Sequence, residues 1–374
     1  MISHIIQSCF LISFVLSTSQ STVKLIIDTD GVYDDIRGLT IALTYPNVEV
    51  LAITTVHGGV TANQSAANVV RLLRAVGKES IPIFIGAQDS MIPKGKIEVW
   101  EELFGYDGIG GVPDANPKAL PSDFKSAQKM HAVDAIIQFT RNTSDVVLVG
   151  LGPLTNIAMA LQKDADLANR IRKVVIMGGN YLGIGNTQYN STAEFNFLMD
   201  PEAAQIVLSS IHTTIVPWDT CFLKGPVYNE EVDYEESLHQ NTNLSYFLSN
   251  ITLKAREFNT IAQQIYAFVD DIAISIAIDP EILKKSVELY ASVELEREAK
   301  TRGQVTIDWL GTKYDPIDQQ FKAATNKNEA NWLKQTFVTE YDVKKINQLL
   351  VEAVNPSIRK SNLLISKNSL FILA

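Results

Sequence analysis

Cysteine is scarce in this chain of 374 residues, which contains only Cys9 and Cys221. So few thiols exclude a disulfide-stapled scaffold and a zinc module built from several cysteines. Long apolar runs are also missing, and no segment has the roughly 20 consecutive apolar residues that cross a bilayer as a helix. Positive charge is in the minority, with 32 Lys and Arg against 42 Asp and Glu. A net charge of −10 argues against a nucleic-acid partner, because the chain has few cations to exchange for phosphate counterions.

The first 20 residues contain no Asp, Glu, Lys or Arg. Their apolar run, at about 9–16, is too short to span a bilayer and is followed by Ser-Thr-Ser at 17–19. Small residues of this kind suit signal peptidase, so we interpret residues 1–20 as a cleaved signal peptide of a secreted protein. The alternative is a buried N-terminal strand or helix. Cleavage would remove Cys9, and the mature chain could then form no internal disulfide.

Five Asn-x-Ser/Thr sequons agree with secretion and predict a glycoprotein. They begin at Asn63, Asn142, Asn190, Asn243 and Asn250. Because the motif is short and arises by chance, it does not select which of these asparagines carry glycans.

Short apolar runs alternate with segments of helical periodicity, in a composition of 46% hydrophobic and 20% charged residues that is typical of globular proteins. Buried strands are predicted at 23–27, 48–56, 81–85, 146–149, 174–177 and 213–216, and helices at about 65–76, 132–141, 154–162 and 201–210. This alternation predicts an α/β fold, Rossmann-like, with a mostly parallel central sheet flanked by helices in one large domain at 21–374. We also predict a mostly helical insertion at 224–265 and an amphipathic helix at about 331–354.

Four carboxylates follow the first predicted strand, at Asp28, Asp30, Asp34 and Asp35. Like charges at this spacing repel, so some must be neutralised unless a cation lies among them. Hard carboxylate oxygens favour Ca²⁺ or Mg²⁺. Ligands of such folds bind beyond the carboxyl ends of the strands, so we expect a cation site at this turn. The alternative is an acidic loop in which Asp34 or Asp35 only caps the next helix.

Two later segments also carry polar groups that suit a site. Asp270, followed by Asp271, opens an apolar stretch and either caps a buried helix or completes a distant ligand set. Glu194 and Asn196 alternate with aromatic residues, so on an extended segment they would share one face and could hold two vicinal hydroxyls of a sugar. Asp200, which precedes a proline, has the features of a helix N-cap.

These segments resemble the nucleoside hydrolase family (inosine-uridine preferring enzymes and relatives). The family's opening motif D-T-D-P-G-x-D-D reads DTDGVYDD at 28–35, and further segments match in the family's order. They are ITTVHGGV at 53–60, GPLTNIAMAL at 152–161, VVIMGGN at 174–180, AEFNFLMDPEAA at 193–204 and TRGQVTIDW at 301–309. The resemblance covers roughly residues 23–310. It implies an enzyme that hydrolyses the N-glycosidic bond of ribonucleosides to ribose and free base.

The resemblance also implies a role for each matched residue. One Ca²⁺ would be held by Asp30, Asp35, Asp270 and the main-chain carbonyl of Leu151. Asp30 would also be the general base that takes a proton from the calcium-bound water, while Asp28 would support the loop. The positions that correspond to ribose contacts are Asp34, Met177, Asn186, Glu194, Asn196 and Asp270. The implied partner is a small-molecule ribonucleoside, with no nucleic-acid or membrane partner. Members of the family tend to form dimers or tetramers, so the resemblance also implies a homo-oligomer.

Three positions depart from the family pattern. Val269 stands where members have a His or Trp that acts on the leaving base, Gly59 replaces an Asn, and Phe104 replaces the His of an H-G-x-D-G segment. The leaving-group acid and the choice between purine and pyrimidine bases are therefore open. Two roles are open for five further side chains, which either face the nucleobase or the site or only pack inside the protein. They are Phe104, Tyr106, Trp218, Tyr266 and His57.

Two other functions stay open at this point. The segment DTDGV at 28–32 fits the D-x-D-x-[TV] motif of haloacid dehalogenase-like phosphatases, with Asp28 as nucleophile, Asp30 as acid–base residue and Mg²⁺ as metal. That motif does not account for Glu194 or for the ordered later matches. The altered positions are also compatible with a nucleoside-binding protein whose site is degenerate, although Asp30 and every matched metal carboxylate are present.

Overall fold

The structure is a computed structural model that describes residues 22–93, 100–187, 192–227, 234–261, 268–310 and 333–359. The predicted signal peptide, the sequon at Asn190 and Tyr266 lie outside these residues. Within the described ranges, every helix is too short or too polar to span a bilayer.

A nine-stranded sheet runs through the described part of the chain. Its strands are β1 (Val23–Thr29), β2 (Val48–Thr55), β3 (Ile83–Ile85), β4 (Val146–Gly150), β5 (Lys173–Met177), β6 (Thr214–Val216), β7 (Leu283–Val293), β8 (Val305–Asp308) and β9 (Lys334–Tyr341). Their order across the sheet is β3-β2-β1-β4-β5-β6-β9-β7-β8. The strands β1 to β6 and β9 are parallel, whereas β7 runs antiparallel to both of its neighbours.

Helices connect the strands and cover both faces of the sheet. They are α1 (Tyr33–Thr44), α2 (Ala62–Val76), α3 (Glu101–Phe104), α4 (Ala132–Asn142), α5 (Thr155–Lys163), α6 (Leu167–Arg170), α7 (Phe195–Met199), α8 (Pro201–Ser210), α9 (Trp218–Val227), α10 (Tyr234–Leu238), α11 (Asn243–Ile261), α12 (Asp270–Ile278) and α13 (Val343–Val354). The central strand β1 packs Leu25 and Ile27 against one hydrophobic cluster and Ile26 against the other, and all three side chains are fully buried. The predicted α/β fold with a mostly parallel sheet is confirmed, and α10 and α11 are the helical insertion.

The prediction of one amphipathic helix at 331–354 is wrong. Residues 334–341 form β9, and only residues 343–354 are helical. The side chains of Phe337 and Val338 enter the clusters on opposite faces of the sheet, and both are fully buried. Asp342 then ends the strand and caps α13 by accepting a hydrogen bond from Lys345 N at 3.0 Å.

Candidate active site

The aspartate-rich turn lies at the carboxyl edge of the sheet, between β1 and α1. Since the strand order reads 3-2-1-4-5-6 across the first six strands, this turn borders the switch point between β1 and β4, where α/β folds bind ligands. Gly31 makes the turn possible with φ of +67°, and a Cβ atom placed there would lie 2.7 Å from Ser65 Cα.

Asp35 is fixed on the turn by hydrogen bonds to its two carboxylate oxygens. Thr29 Oγ1 donates to Asp35 Oδ1, and Val32 N donates to Asp35 Oδ2 at 3.2 Å. The same Thr29 hydroxyl accepts a hydrogen bond from Gly31 N at 3.1 Å. The N-cap position of α1 is Val32, so Asp34 and Asp35 lie in the first turn of the helix and neither is its N-cap.

Asp30 is enclosed by glycine backbone from two neighbouring strand ends. Its Oδ2 accepts a hydrogen bond from Gly59 N at 2.6 Å. A Cβ atom on Gly58 would lie 2.0 Å from the same oxygen, and one on Gly152 would lie 3.0 Å from Asp30 Cβ. Gly59, which replaces the family's Asn, therefore binds Asp30 through its backbone N–H, and the glycines on either side allow the backbone to approach the Asp30 side chain closely.

Asp28 supports the turn from beneath. Its Oδ1 accepts hydrogen bonds from Thr54 Oγ1 at 2.5 Å and Asn156 Nδ2 at 2.8 Å, and its side chain is buried. Asn156 also donates to the carbonyl oxygen of Thr55 at 3.0 Å and accepts from Ala87 N at 2.9 Å. This arrangement suits the expected supporting role of Asp28, because both hydrogen bonds hold its Oδ1 against neighbouring strand and helix residues.

Asp270 reaches the turn from α12, far along the chain. The helices α1 and α12 approach closely at Gly38, where a Cβ atom would lie 3.2 Å from the carbonyl carbon of Asp270. As a result, oxygens of Asp34, Asp35 and Asp270 lie within 4.8 Å of one another. Asp34 Oδ1 and Asp270 Oδ1 are buried acceptors without a hydrogen-bond donor in the described structure. Buried acceptors in this state, in a set of hard oxygens, fit a divalent cation.

Burial and mutual repulsion disfavour ionisation of these carboxylates when no cation compensates them. Desolvation raises the pKa of Asp28 and Asp34 to about 7, with a further upward contribution from Asp30. The pKa values of Asp30, Asp35 and Asp270 are also raised, again mainly by burial, and for Asp35 and Asp270 also by the neighbouring carboxylates. A cation at this position would oppose both effects by favouring the charged forms.

Glu194 and Asn196 do not share a face of an extended segment, and that expectation is wrong. Glu194 is the N-cap of α7, and its carboxylate accepts from Asn196 N at 2.9 Å and Phe197 N at 3.1 Å. Gly179 N, at the end of β5, donates to the same carboxylate at 2.8 Å. A free helix terminus thus decides the local structure, because its unpaired N–H groups need an acceptor.

The Asn196 side chain joins the ends of β4 and β5. Its Nδ2 donates to the carbonyl oxygens of Leu151 at 2.8 Å and Met177 at 3.2 Å. A carbonyl oxygen has two lone pairs, so Leu151 can accept this bond and still ligate a cation. Asn186 lies beside the start of α7, where its Oδ1 accepts from Phe195 N at 2.8 Å. The structure therefore gathers these predicted ribose-contacting residues around the loop that follows β5.

The comparison with known protein families agrees with this geometry. The model of the family described as inosine-uridine preferring nucleoside hydrolase matches residues 25–348. The chain belongs to this family.

Individual nucleoside hydrolases are similar to the chain in sequence and in structure. Uridine nucleosidase 1 of Arabidopsis thaliana is 34% identical over 188 residues, which are 50% of this chain and 53% of that protein. Pyrimidine-specific ribonucleoside hydrolase RihA of Shewanella baltica (strain OS185) is 37% identical over 190 residues, 50% of this chain and 56% of the relative. The chain thus spans about half the length of these curated relatives. The solved structure of an inosine-guanosine nucleoside hydrolase (IG-NH) superposes with a TM-score of 0.75 at 29% identity, covering 88% of this chain and 98% of that one.

Two departures of this chain from the family pattern are visible in the structure. Val269 packs its partly buried side chain against the hydrophobic cluster beneath α1 and α12. Phe104 packs on Tyr33, at the start of α1, with 5.5 Å between ring centroids. Tyr106, in contrast, is 59% exposed in the loop that follows.

His57 is bound into a buried polar network. Its Nε2 lies 3.0 Å from Thr155 Oγ1, and Thr155 donates to Asp200 Oδ2 at 2.7 Å. Asp200 also caps α8 by accepting from Ala203 N at 3.1 Å, as predicted. Trp218 begins α9, with its ring centroid 6.3 Å from that of Phe222. These buried hydrogen bonds account for His57, while Trp218 stays partly exposed after the carboxyl end of β6.

Three residues that hold the site were not singled out from the sequence. Each donates a hydrogen bond to an aspartate of the turn. Thr29 binds Asp35, while Thr54 and Asn156 bind Asp28. Each lies inside a segment that matches the family, so those matches were the available signal.

Proposed function

We propose that the protein hydrolyses the N-glycosidic bond of ribonucleosides to ribose and free base with the help of Ca²⁺. The observation that carries the proposal is the convergence of Asp34, Asp35 and Asp270 within 4.8 Å, with two buried oxygens that have no hydrogen-bond donor in the described residues. Relatives named as uridine, pyrimidine and inosine-guanosine hydrolases support a ribonucleoside substrate without fixing the base.

Asp30, Asp35, Asp270 and the carbonyl oxygen of Leu151 would hold the cation. Calcium held there would supply positive charge that lowers the pKa of a water bound beside the ribose. We assign Asp34 to the ribose hydroxyls, as the resemblance implies, because it lies beside Asp35 and Asp270 and its Oδ1 has no hydrogen-bond donor in the described residues. Around the remainder of the ribose ring, the proposed contacts are Met177, Asn186, Glu194, Asn196 and Asp270.

Asp30 acts as the general base in this proposal. Gly59 N and the tight glycine backbone hold its carboxylate in one orientation, as a proton acceptor in a reaction requires. The water oxygen bonds to C1′ of the ribose while the C1′–N bond breaks, its electron pair leaves with the base, and Asp30 takes the proton of the water. Positive charge develops on the sugar ring, where the surrounding carboxylates stabilise it. The base receives its proton from a group other than Val269.

The deciding experiment is ribose release from inosine, adenosine and uridine, with calcium or with EGTA. We expect calcium-dependent release, and a loss of about 10²–10⁴-fold in kcat for Asp30→Asn. Asp134→Asn is the matched control, because Asp134 is an exposed carboxylate on α4 that pairs with Lys163. Bound calcium with no release from any ribonucleoside would indicate a nucleoside-binding protein, and turnover of p-nitrophenyl phosphate with Mg²⁺ would indicate a phosphatase.

Secretion and assembly into a homo-oligomer are also part of this proposal. The apolar run at about 9–16 and the small residues at 17–19 support secretion, as do sequon asparagines that are exposed where the structure describes them, at Asn63, Asn142, Asn243 and Asn250. A mass decrease on treatment with a glycosidase, in protein from the medium of secreting cells, would test secretion and glycosylation together. The mass in solution, measured by light scattering, would test the oligomer.

A further inference from the structure

A buried ion pair lies directly beneath the acidic cluster. Arg37 on α1 donates from Nε to Asp271 Oδ1 at 2.8 Å and from Nη2 to Asp271 Oδ2 at 2.5 Å. The side chains are 1% and 0% exposed. A planar guanidinium that binds both carboxylate oxygens fixes orientation as well as distance.

Arg37 contacts one residue shortly before Asp270 and one directly after it. It binds Asp271, and its guanidinium carbon lies 5.6 Å from the ring centroid of Phe268. On α1 it follows Asp34 and Asp35 by three and two positions, so Asp34 lies on the neighbouring turn. One side chain therefore connects the helix that carries two site carboxylates with the helix start that carries the third.

Without such a connection, the carboxylates would tend to separate. Carboxylate oxygens of Asp34, Asp35 and Asp270 lie within 4.8 Å of one another, and like charges at this distance repel when no cation lies between them. Gly38 permits the close approach of α1 and α12, but it supplies no bond that maintains it.

We propose that Arg37 is a positioning residue for the calcium site, and that its ion pair with Asp271 holds Asp270 in register with Asp34 and Asp35 before the metal binds. The inference rests on the proposed function, because it assumes that these carboxylates bind calcium. It assigns Arg37 no contact with metal or substrate.

A simple charge effect and a positioning effect predict opposite results for Arg37→Met. If electrostatics alone mattered, removing the positive charge of Arg37 would tighten calcium binding, because it would remove a repulsion between Arg37 and the cation. Loss of register would weaken it, and we expect at least a tenfold rise in the calcium Kd. Arg37→Lys keeps the charge but loses the planar fork, so positioning predicts a smaller rise, whereas a charge effect predicts none.

The test is a calcium titration of the full, metal-free chain, by calorimetry or by competition with a chromophoric chelator. Arg71→Met is the matched control, since Arg71 is equally buried but binds backbone carbonyls at Pro117, Val112 and Ala115. We expect the control to lose stability while its calcium Kd stays within twofold of the wild type.

Each result decides a different point. In one case the wild type binds calcium while Arg37→Met and Arg37→Lys leave the Kd unchanged, or while Arg37→Met lowers the Kd. Either result would overturn the positioning role and leave the proposed function intact. A wild type that binds no calcium would refute the metal site of the proposed function and this inference with it. If Arg37→Met does not fold, Arg37→Lys alone decides, because it retains the buried positive charge.

Discussion

Replacing Gly58 by alanine would test how closely the reaction depends on the position of Asp30. The added Cβ atom would lie 2.0 Å from Asp30 Oδ2 and 2.6 Å from Asp30 Cγ. An unstrained contact needs about 3.5 Å, so carboxylate and backbone must separate by about 1.5 Å. The hydrogen bond from Gly59 N to Asp30 would break in the process, because it lies on the same side of the carboxylate.

A catalytic group displaced by about 1 Å loses about 100-fold in rate, which corresponds to about 2.7 kcal/mol of activation free energy. We therefore expect kcat for ribose release by Gly58→Ala to fall by about 100-fold or more, in a protein that still folds. The assay is reducing-sugar release from the best ribonucleoside at saturating substrate and calcium, with circular dichroism to confirm the fold.

Gly77→Ala supplies the matched control for this substitution. Gly77 ends α2 with φ of +70°, and a Cβ atom there would meet nothing within 4 Å. Alanine at this position costs about 1 kcal/mol in backbone strain and leaves Asp30 in place, so stability should fall while kcat does not. If Gly58→Ala retained kcat within threefold of the wild type, the tight enclosure of Asp30 would not matter for the chemistry.

Three further predictions concern stability, measured by urea unfolding. Asn156→Ala removes three hydrogen bonds of a buried side chain and should cost about 3 kcal/mol, whereas Asn63→Ala, at an exposed position, should change the unfolding free energy by less than about 0.5 kcal/mol; equal effects would contradict the supporting role. In the metal-free protein, burial raises the pKa of Asp28 and Glu194 to about 7 from ordinary values of 3.8 and 4.5. The folded state therefore keeps protons that the unfolded state has lost, so the free energy of unfolding should fall as pH rises from about 4 to beyond 7, by about 3 kcal/mol for Glu194 alone, and the urea midpoint should fall with it; a rising midpoint would refute this. Calcium at about 100 times its Kd should stabilise the protein by about 2.7 kcal/mol, and a urea midpoint unaffected by calcium would show that the folded state binds no calcium.

The parallel part of the sheet was predictable because its strands are buried on both faces. Such strands are continuous apolar runs, and β1, β2, β4 and β5 all appear in the sequence close to their observed bounds. Helix starts with strong local chemistry were equally visible, as at α8, where Asp200 caps and Pro201 follows.

The strands at the other end of the sheet were not predictable in the same way. The sequence KQTFVTEY of β9 mixes polar and apolar residues, and its period does not separate a strand from an amphipathic helix. Its state is decided by parallel pairing with β6 and antiparallel pairing with β7, contacts that join segments distant in the chain.

The site shows the same division between local and distant information. The carboxylates of the turn are adjacent in sequence and stand out by charge alone. The support of Asp28 by Thr54 depends on the register of β1 against β2, in which these two residues are direct partners. For Glu194 the local pattern was too short, since alternation over four residues does not distinguish an extended segment from the first turn of a helix.

The separation of α1 and α12 along the chain has a consequence for folding. Arg37 and Asp271 are 234 positions apart, so the carboxylates of the turn leave the ribosome long before Asp270 does. At the proposed site, calcium would therefore bind only after the domain has closed through its long-range contacts, too late to guide early steps of folding. Its stabilising effect should appear as slower unfolding, with the refolding rate nearly unchanged. The metal would then prolong the life of the finished enzyme without helping to build it.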